Sequence, residues 1–192
     1  MNSSYLHYHI FETDHGFAAV VWNAAAITGL RLPAATAKDA ARAVLRRQPD
    51  AAPADPPTDI AAVATGVQRY FTGAKIDFAE VPLELGEPEP LLVRIYAHVR
   101  KLPWGETTTY GAVARALGYG PEVARDVGQA MARNPVPLII PCHRVLAAGG
   151  KIGGFSAPGG SQAKARMLEL EGCLPAPVKV VQKSEGQGGF GF

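Results

Sequence analysis

The chain has 192 residues, 47% of them hydrophobic, which is enough to bury a core in one domain or in two small ones. No apolar run approaches the ~20 residues that a membrane-spanning helix needs, and the first residues lack the basic start and apolar stretch of a signal peptide. Two cysteines are too few for a disulfide framework and favour a reducing, cytoplasmic compartment.

The charge is unevenly distributed along the chain. Residues 1–90 carry 7 Lys and Arg against 11 Asp and Glu, whereas residues 91–172 carry 10 against 5. The basic second half favours an anionic partner, although a chance asymmetry on solvated faces explains it equally well.

The first half predicts a small sheet and two helices. Residues 8–22 favour a hairpin, because apolar and aromatic runs flank a turn at residues 14–16, and residues 27–33 predict a third strand. Helices are predicted over 35–48 and 58–71, and a proline-rich loop over 49–57 lies between them. Thr58 or Asp59 is expected near the cap of the second helix. Arg31, Arg42, Arg46 and Arg47 are expected to lie on a solvated face.

The best linker is the segment 82–90, which holds three prolines and a glycine. It predicts an N-terminal α/β domain over 1–88, a second domain over 89–173 and a flexible tail over 174–192. In the second domain, four helices are predicted over 91–101, 110–117, 122–132 and 162–171. A buried strand is predicted over 136–140 and a glycine-rich loop over 146–161.

Two of these helices form a candidate DNA-binding pair. Residues 110–117, opened by Thr109 as N-cap, and 122–132 are joined by a glycine-containing turn on a basic background, which is typical of a helix-turn-helix. The second helix is rich in small residues and poor in long polar ones, so it favours binding by shape and phosphate charge, as in the minor groove. The alternative is an ordinary helical hairpin whose small residues pack on the core.

Cys142 is the candidate nucleophile, because polar His143 and Arg144 follow it directly. A thiolate is the reactive form of cysteine, nearby cations lower the pKa of a thiol, and a histidine is a common base for it. Adjacent residues of a strand point to opposite faces, so Cys142 and His143 must lie on a turn or communicate through a water. Glu169 and Glu171 are candidates to orient the imidazole. The alternative is a structural cysteine beside a solvent-facing histidine.

Two other clusters carry weaker signals. His7 and His9 would share one face of a strand, but no cysteine lies near them in the sequence and no metal site is predicted. The glycine-rich loop lacks the Lys-Ser/Thr ending of a phosphate-binding loop, so its glycines favour backbone closing over a small, flat ligand.

The segment NPVPLIIPCHRVLAAGGKIGGFS, residues 134–156, resembles the active-site segment of O6-alkylguanine-DNA alkyltransferases, the methylated-DNA–protein-cysteine methyltransferases. The resemblance extends from GETTTYGAVARAL through ARDVGQAMARNP to LELEG, and Pro-Cys-His-Arg after an Asn-Pro is a specific signature. The first half is similar only in outline. The resemblance implies an α+β fold, with a small ribonuclease-H-like sheet domain before a helical domain that carries a winged-helix-like helix-turn-helix.

The resemblance also implies roles for individual residues. Cys142 would be the acceptor thiol, His143 would activate it through a water, and Glu171 would hold His143. Asn134 would brace the turn that brings these groups together, and Tyr110 would press on a phosphate and offer its hydroxyl to guanine N3.

Further implied residues contact the DNA and the base. Arg125 would enter the base stack and fill the gap left by a flipped nucleotide. The implied DNA contacts are Arg125, Tyr110, Thr109, Ala124, Gly128 and Arg144, and the implied base-pocket residues are Val145, Phe155 and Ser156. Phe155 stands where some relatives carry a tyrosine, so a hydrogen bond toward O6 is not expected from it.

The implied function is DNA repair by a monomer that binds double-stranded DNA in the minor groove. It would transfer the alkyl group of O6-alkylguanine, with O4-alkylthymine as a further candidate substrate, irreversibly to Cys142, without a cofactor or metal. Two alternatives are a non-catalytic alkyltransferase-like lesion binder and a cysteine hydrolase that turns over repeatedly.

Overall fold

The computed structural model describes residues 5–24 and 26–174, which form a four-stranded sheet followed by a helical half. The strands are β1 His7–Thr13, β2 Gly16–Trp22, β3 Ile27–Ala34 and the two-residue β4 Ala52–Pro53. Their order in the sheet is β3-β2-β1-β4, with β1, β2 and β3 antiparallel and β4 parallel to β1. The predicted hairpin and third strand are confirmed.

Part of the predicted loop 49–57 pairs with the sheet, which the sequence did not indicate. Ala52 donates its backbone N–H to Leu6 at 2.9 Å, and Ala54 donates to Tyr8 at 3.0 Å. Prolines are tolerated here because β4 is an edge strand, where no second neighbour needs the missing N–H.

One helix lies against each face of the sheet. Helix α1, Ala37–Leu45, packs on β1, β2 and β3, and its N-cap Thr36 accepts a hydrogen bond from the Asp39 backbone N–H. Helix α2, Thr58–Phe71, packs on β1 and β2, and contributes to the large core shared with the helical half. Its extent was predicted, and Thr58 lies next to the cap as expected: Pro57 is the N-cap residue and makes no side-chain capping bond.

The predicted linker is docked on the sheet edge. Ile27, at the start of β3, donates to Pro82 at 3.1 Å and accepts from Glu84 at 2.9 Å. Further along the same strand, Leu30 donates to the carbonyl of Pro135 at 3.0 Å. Exposed edge strands are usually covered or blunted, and here both the linker and the second half cover this one.

Arg31, on β3, was expected on a solvated face and is instead 8% exposed. Its guanidinium donates to the carbonyls of Ala43, Leu30 and Pro135 and to the side chain of Gln48 at 2.8–3.1 Å. Burial, together with the neighbouring Arg47 and Arg46, lowers the pKa of Arg31 to about 10. A side chain of a strand is exposed only where the face of the sheet to which it points meets solvent. Helices cover both faces of this sheet, so Arg31 is buried.

The second half is helical, as predicted. Its helices are α3 Pro90–Val99, α4 Tyr110–Ala116, α5 Ala124–Arg133 and α6 Gly160–Leu170. Thr109 caps α4 by accepting from the Ala112 backbone N–H at 3.2 Å. A short 3-10 turn, Pro121–Val123, precedes α5. A two-stranded parallel sheet, β5 Thr108–Thr109 with β6 Val145–Leu146, was not predicted.

The strand predicted over 136–140 was wrong, because this segment is a buried turn. Pro137 and Ile140 form an isolated bridge, and the Ile140 N–H bonds to Val136 at 3.0 Å. Leu138 lies inside the turn at φ +77°. A leucine adopts this strained backbone conformation only when the packing around it enforces it. Pro137 removes a backbone donor, so the apolar run cannot complete a strand ladder.

The main core runs without interruption from the sheet into the helical half, and includes Leu30, Tyr70, Ile95, Val113 and Ile140. The division at 1–88 and 89–173 stays a prediction, as do the ribonuclease-H-like and winged-helix labels. The predicted tail lies, from residue 175 onward, outside the described residues. Among the described residues, no helix is long and apolar enough to cross a membrane.

The hairpin turn generates a stability prediction. Gly16 has φ +116°, and a Cβ there would lie 2.3 Å from the carbonyl oxygen of Ala34. Gly86, at φ +74°, has nothing within 4 Å of an added Cβ. We expect Gly16→Ala to lower the free energy of unfolding by roughly 3 kcal/mol and Gly86→Ala by roughly 1 kcal/mol, measured by urea denaturation. Equal losses would show that the contact with β3 does not constrain the hairpin.

Candidate functional site

Cys142 begins a buried 3-10 turn, Cys142–Arg144, that follows the 136–140 turn. The buried Asn134 braces both turns, because its Nδ2 donates to the Ile140 carbonyl at 2.8 Å and its Oδ1 accepts from the Val136 N–H at 3.0 Å. The Cys142 N–H also bonds to the Ile140 carbonyl, at 2.7 Å. Cys142 and His143 therefore lie on a turn, which was one of the two expected arrangements, and a bridging water stays a prediction.

His143 is fully buried and its Nε2 lies 2.7 Å from Oε1 of Glu171. An ionised carboxylate only accepts hydrogen bonds, so Nε2 must carry the proton. The other ring nitrogen, Nδ1, is then the basic one. It is buried and has no hydrogen-bond partner within the described part of the chain. Of the two candidates to orient the imidazole, Glu171 is the one that contacts it.

Glu171, directly after α6, accepts hydrogen bonds from several groups at once. Arg144 donates from Nε to Oε2 at 2.7 Å and from Nη2 to Oε1 at 2.9 Å. The Tyr70 hydroxyl donates to Oε1 at 2.9 Å, and the Gly105 backbone N–H reaches Oε2 at 3.4 Å. Burial alone would raise the pKa of Glu171, but the hydrogen bonds from His143 and Arg144 outweigh it and lower the pKa to about 2.

The imidazole of His143 is held neutral by its surroundings. Burial lowers its pKa below the ordinary value, although the hydrogen bond to Glu171 opposes this. A neutral imidazole with a free Nδ1 lone pair can accept a proton.

Cys142 is 3% exposed. Burial raises its pKa, while a hydrogen bond from Asn134 and the positive charge of Lys164 act in the opposite direction. The expectation that adjacent cations lower the thiol pKa was therefore wrong in its net direction, because Arg144 pairs with Glu171 and burial dominates at the sulfur. Cys142 is a neutral thiol at rest and needs a base to become a nucleophile.

Lys164, on α6, is a site residue that the sequence analysis missed. It is 1% exposed, and its Nζ donates to the Val145 carbonyl at 2.6 Å. The ammonium lies 5.9 Å from the ring centre of Tyr110 and 6.0 Å from that of Phe155. The signal was available, because Lys164 shares its helix face with Met167 and Leu168 at i, i+3 and i+4 spacing.

A cleft beside Cys142 opens between the two halves of the molecule. It is lined by Cys142, Asn134, Phe155 and Ser156 from the second half and by Arg31, Arg46 and Arg47 from the first, among others. Its cavity of about 50 Å³ can hold ordered water but not a purine. Residues 155–158 form one wall of the cleft, where the Ser156 hydroxyl donates to the Ala132 carbonyl at 2.8 Å.

The predicted helix pair has one face on the core and one facing outward. Val127, Ala130 and Met131 of α5 are buried, whereas Arg125 is exposed. A Cβ added at Gly128 would meet nothing within 4 Å. Core packing therefore does not require a glycine here, which argues against the helical-hairpin alternative. Ala124, one turn before Gly128, is half-buried on this same small-residue surface.

Tyr110 and Thr109 lie at the junction of this helix pair with the site. Burial, followed by the nearby sulfur of Cys142, raises the pKa of Tyr110. A Cβ at Gly153 would lie 3.0 Å from the Tyr110 hydroxyl, so a glycine there leaves the hydroxyl its space. Thr109 uses its side chain as the α4 cap.

A sequence model of the family described as 6-O-methylguanine DNA methyltransferase, DNA binding domain, matches residues 90–173. The methylated-DNA–protein-cysteine methyltransferase of Methanopyrus kandleri is 43% identical over 113 residues, which span 57% of this chain and 79% of that protein. The chain belongs to this methyltransferase family.

Two other relatives are similar over the same part of the chain. The methylated-DNA–protein-cysteine methyltransferase of Metallosphaera sedula is 44% identical over 108 residues, covering 56% of this chain and 65% of that protein, just under two thirds. A Thermus thermophilus protein named DNA base-flipping protein is 41% identical over 112 residues, covering 58% of this chain and 73% of that protein.

The fold also matches a solved member of the methyltransferase family. The crystal structure of Mycobacterium tuberculosis O6-methylguanine methyltransferase superposes with a TM-score of 0.71 at 30% identity, covering 89% of this chain and 96% of that one. This match includes the sheet domain, which the sequence resembled only in outline.

Arg144, His7 and His9 lie away from the surfaces that could bind DNA or a metal ion. Arg144 was predicted to contact DNA, but it is 7% exposed and its guanidinium binds Glu171 and the Leu102 carbonyl. Its charge is therefore already paired inside the protein, which argues against that role. His7 and His9 instead pack against Trp22 and Phe11, and the described residues contain no group of three or more His, Cys, Asp and Glu that could hold a metal ion.

The low pKa of Glu171 predicts an acid-sensitive contribution to stability. A carboxylate whose pKa falls from about 4.5 to about 2 on folding stabilises the protein above pH 4.5, and this stabilisation is lost as the pH falls toward 2. We expect Glu171→Gln to cost on the order of 2–3 kcal/mol at pH 7, and the difference from wild type to narrow as the pH falls below about 5, measured by urea unfolding.

The matched control is Glu169→Gln, on the last turn of α6, which we expect to change stability by less than about 0.5 kcal/mol. A gap between wild type and Glu171→Gln that does not change with pH would contradict the ion-pair account.

Proposed function

We propose that this chain is a DNA repair protein that transfers the alkyl group of O6-alkylguanine in DNA irreversibly to its own Cys142, after flipping the damaged base out of the helix. One observation carries the proposal: the buried imidazole of His143 is fixed by Glu171 with its basic Nδ1 unpaired, in the turn that begins with the buried thiol of Cys142. A cysteine whose role is only structural does not need a buried base.

The transfer is a single displacement. A water between Cys142 and His143 passes the thiol proton to Nδ1. Because both groups are buried, the neutral pair is the more stable resting state, and the charged pair forms only during the reaction. The thiolate attacks the alkyl carbon, a C–S bond forms, and the C–O bond breaks with its electron pair going to guanine. Tyr110 offers its O–H to guanine N3 and stabilises the negative charge that develops there. The thioether has no route back to a thiol, so each chain acts once.

The helix pair α4 and α5 binds double-stranded DNA through the minor groove. The outward surface of Ala124 and Gly128 lets α5 approach the DNA backbone closely. The exposed Arg125 is placed to enter the base stack, in the gap left by the flipped base. An alkylated pair is weaker than an intact one, which lowers the cost of flipping.

The cleft must open to receive a base. Its cavity of about 50 Å³ is too small for a purine, and residues 155–158 line it together with Cys142. Lys164 lies behind Phe155 and Tyr110, where its charge favours the thiolate once it forms. A cytoplasmic location stays a prediction, supported by the two free cysteines.

A second candidate function, a non-catalytic lesion binder, is favoured by the likeness to the Thermus protein named for base flipping. The presence of the thiol at Cys142 argues against it, because a binder that only flips bases has no need of an acceptor.

The direct test is intact mass after incubation with an oligonucleotide containing O6-methylguanine. We expect one added methyl group, located on Cys142 by peptide mapping, and no further product with excess substrate. Cys142→Ala should gain no mass, whereas Cys173→Ala, which removes the other thiol, should be modified as in wild type. An unmodified wild-type chain that still binds the oligonucleotide would support the lesion binder, and repeated turnover would indicate a hydrolase.

The role of Arg125 gives a kinetic prediction. Because its side chain acts after the base has left the stack, Arg125→Ala should slow single-turnover methyl transfer by about 100-fold while weakening DNA binding by less than about fivefold. Arg133→Ala, at the other end of α5, is the control and should affect both only through the loss of one charge. Equal falls in affinity and rate for Arg125→Ala would remove this role.

A further inference from the structure

Tyr70 is the one residue of the sheet domain whose side chain, among the described contacts, reaches the His143–Glu171 pair. It lies near the C-terminus of α2 and is fully buried. Its hydroxyl donates to Oε1 of Glu171 at 2.9 Å and lies 3.3 Å from Nε2 of His143. The family resemblance covers the second half of the chain and does not include Tyr70, which lies in the predicted first domain, residues 1–88.

We propose that Tyr70 is a positioning residue for alkyl transfer, which acts through Glu171 to fix the orientation and basicity of His143. The inference rests on the proposed function, and it deepens it by making the sheet domain part of the catalytic centre.

The protonation of His143 fixes the direction of the hydrogen bonds around it. Nε2 of His143 carries a proton, so the Tyr70 hydroxyl cannot donate to it and must donate to Oε1 of Glu171. Burial, together with the charge and hydrogen bond of Glu171, raises the pKa of Tyr70, which keeps it an O–H donor at every relevant pH. Oε1 therefore receives three donors, from His143, Tyr70 and Arg144.

The consequence concerns the proton that His143 must accept. A carboxylate that shares its charge among three donors attracts the imidazolium less strongly, and it is less able to take the Nε2 proton for itself. Tyr70 thereby keeps the proton on the imidazole and keeps Nδ1 a moderate base. Its ring is held by Trp104 and Phe71, both at near-perpendicular angles and with ring centres 5.3 and 5.1 Å away, so the hydroxyl has a fixed position.

The charged groups that act on His143 come from α6 and the reactive turn, and a neutral hydroxyl comes from α2. Glu171 follows α6 and raises the pKa of the imidazole, whereas Lys164 on α6 and Arg144 on the same turn lower it. Tyr70 on α2 is neutral and acts only by its hydrogen bond. Its removal therefore leaves the charges unchanged and isolates the effect of that bond.

The test compares Tyr70→Phe with Tyr96→Phe. Tyr96 is 5% exposed and its hydroxyl donates to the Ala130 carbonyl at 3.0 Å, so both variants lose one buried hydroxyl bond and should lose similar stability. Two quantities are measured for each: the pH titration of the His143 ring nitrogens by ¹⁵N NMR in the free protein, and the single-turnover methyl-transfer rate as a function of pH.

We expect Tyr70→Phe to raise the titration midpoint of His143, because Glu171 then attracts the imidazolium more strongly. We also expect it to lower the transfer rate at neutral pH by about tenfold, because Glu171 loses a donor that fixes its position against the ring. Tyr96→Phe should leave both close to wild type. A wild-type midpoint and pH profile in Tyr70→Phe would overturn the inference and leave Tyr70 as a packing residue. If wild type transfers no alkyl group, the proposed function fails, while the NMR titration still decides whether Tyr70 tunes His143.

Discussion

The carboxylate of Glu171 is the constraint on which the site depends. It is buried, so it must be fully hydrogen-bonded, and its donors come from three separate parts of the chain: His143 and Arg144 from the reactive turn, Gly105 from the loop before α4, and Tyr70 from α2. Removing any one donor leaves buried charge poorly compensated. The fold therefore positions a base with a fixed tautomer next to a thiol that burial keeps neutral.

The sheet domain contributes to this site from three directions. Tyr70 reaches Glu171, the buried Arg31 donates to the Pro135 carbonyl, and Arg47 donates to the carbonyls of Arg133 and Asn134 at 3.2 Å each. The last two hold the end of α5 and the start of the turn that Asn134 braces. The helix proposed to meet DNA and the turn that carries the nucleophile are thus both anchored on the N-terminal half, and the core is continuous between the halves.

Local patterns predicted most elements of the fold and the reactive turn. The hairpin, α2, the Thr109 cap and the Cys142–His143 pair follow from alternation, helical spacing and adjacency in the sequence. The 136–140 turn could not be predicted, since its apolar residues look like a strand and only the tertiary packing holds Leu138 at positive φ. Tyr70 was hidden for a different reason: its spacing is that of a core residue, and only the fold shows that its hydroxyl meets Glu171. For Arg144 the sequence suggested a role that the fold does not support. A charged residue beside a nucleophile is easily taken for an anion contact until its partner inside the protein is known.

The central claim is that the buried imidazole acts on the sulfur through a water. A crystal structure of the unmodified chain, at a resolution that shows ordered water, tests it most directly. The account predicts a water within hydrogen-bond distance of both Nδ1 of His143 and Sγ of Cys142. A dry contact between the two residues, or an Nδ1 turned away to a protein carbonyl, would contradict it.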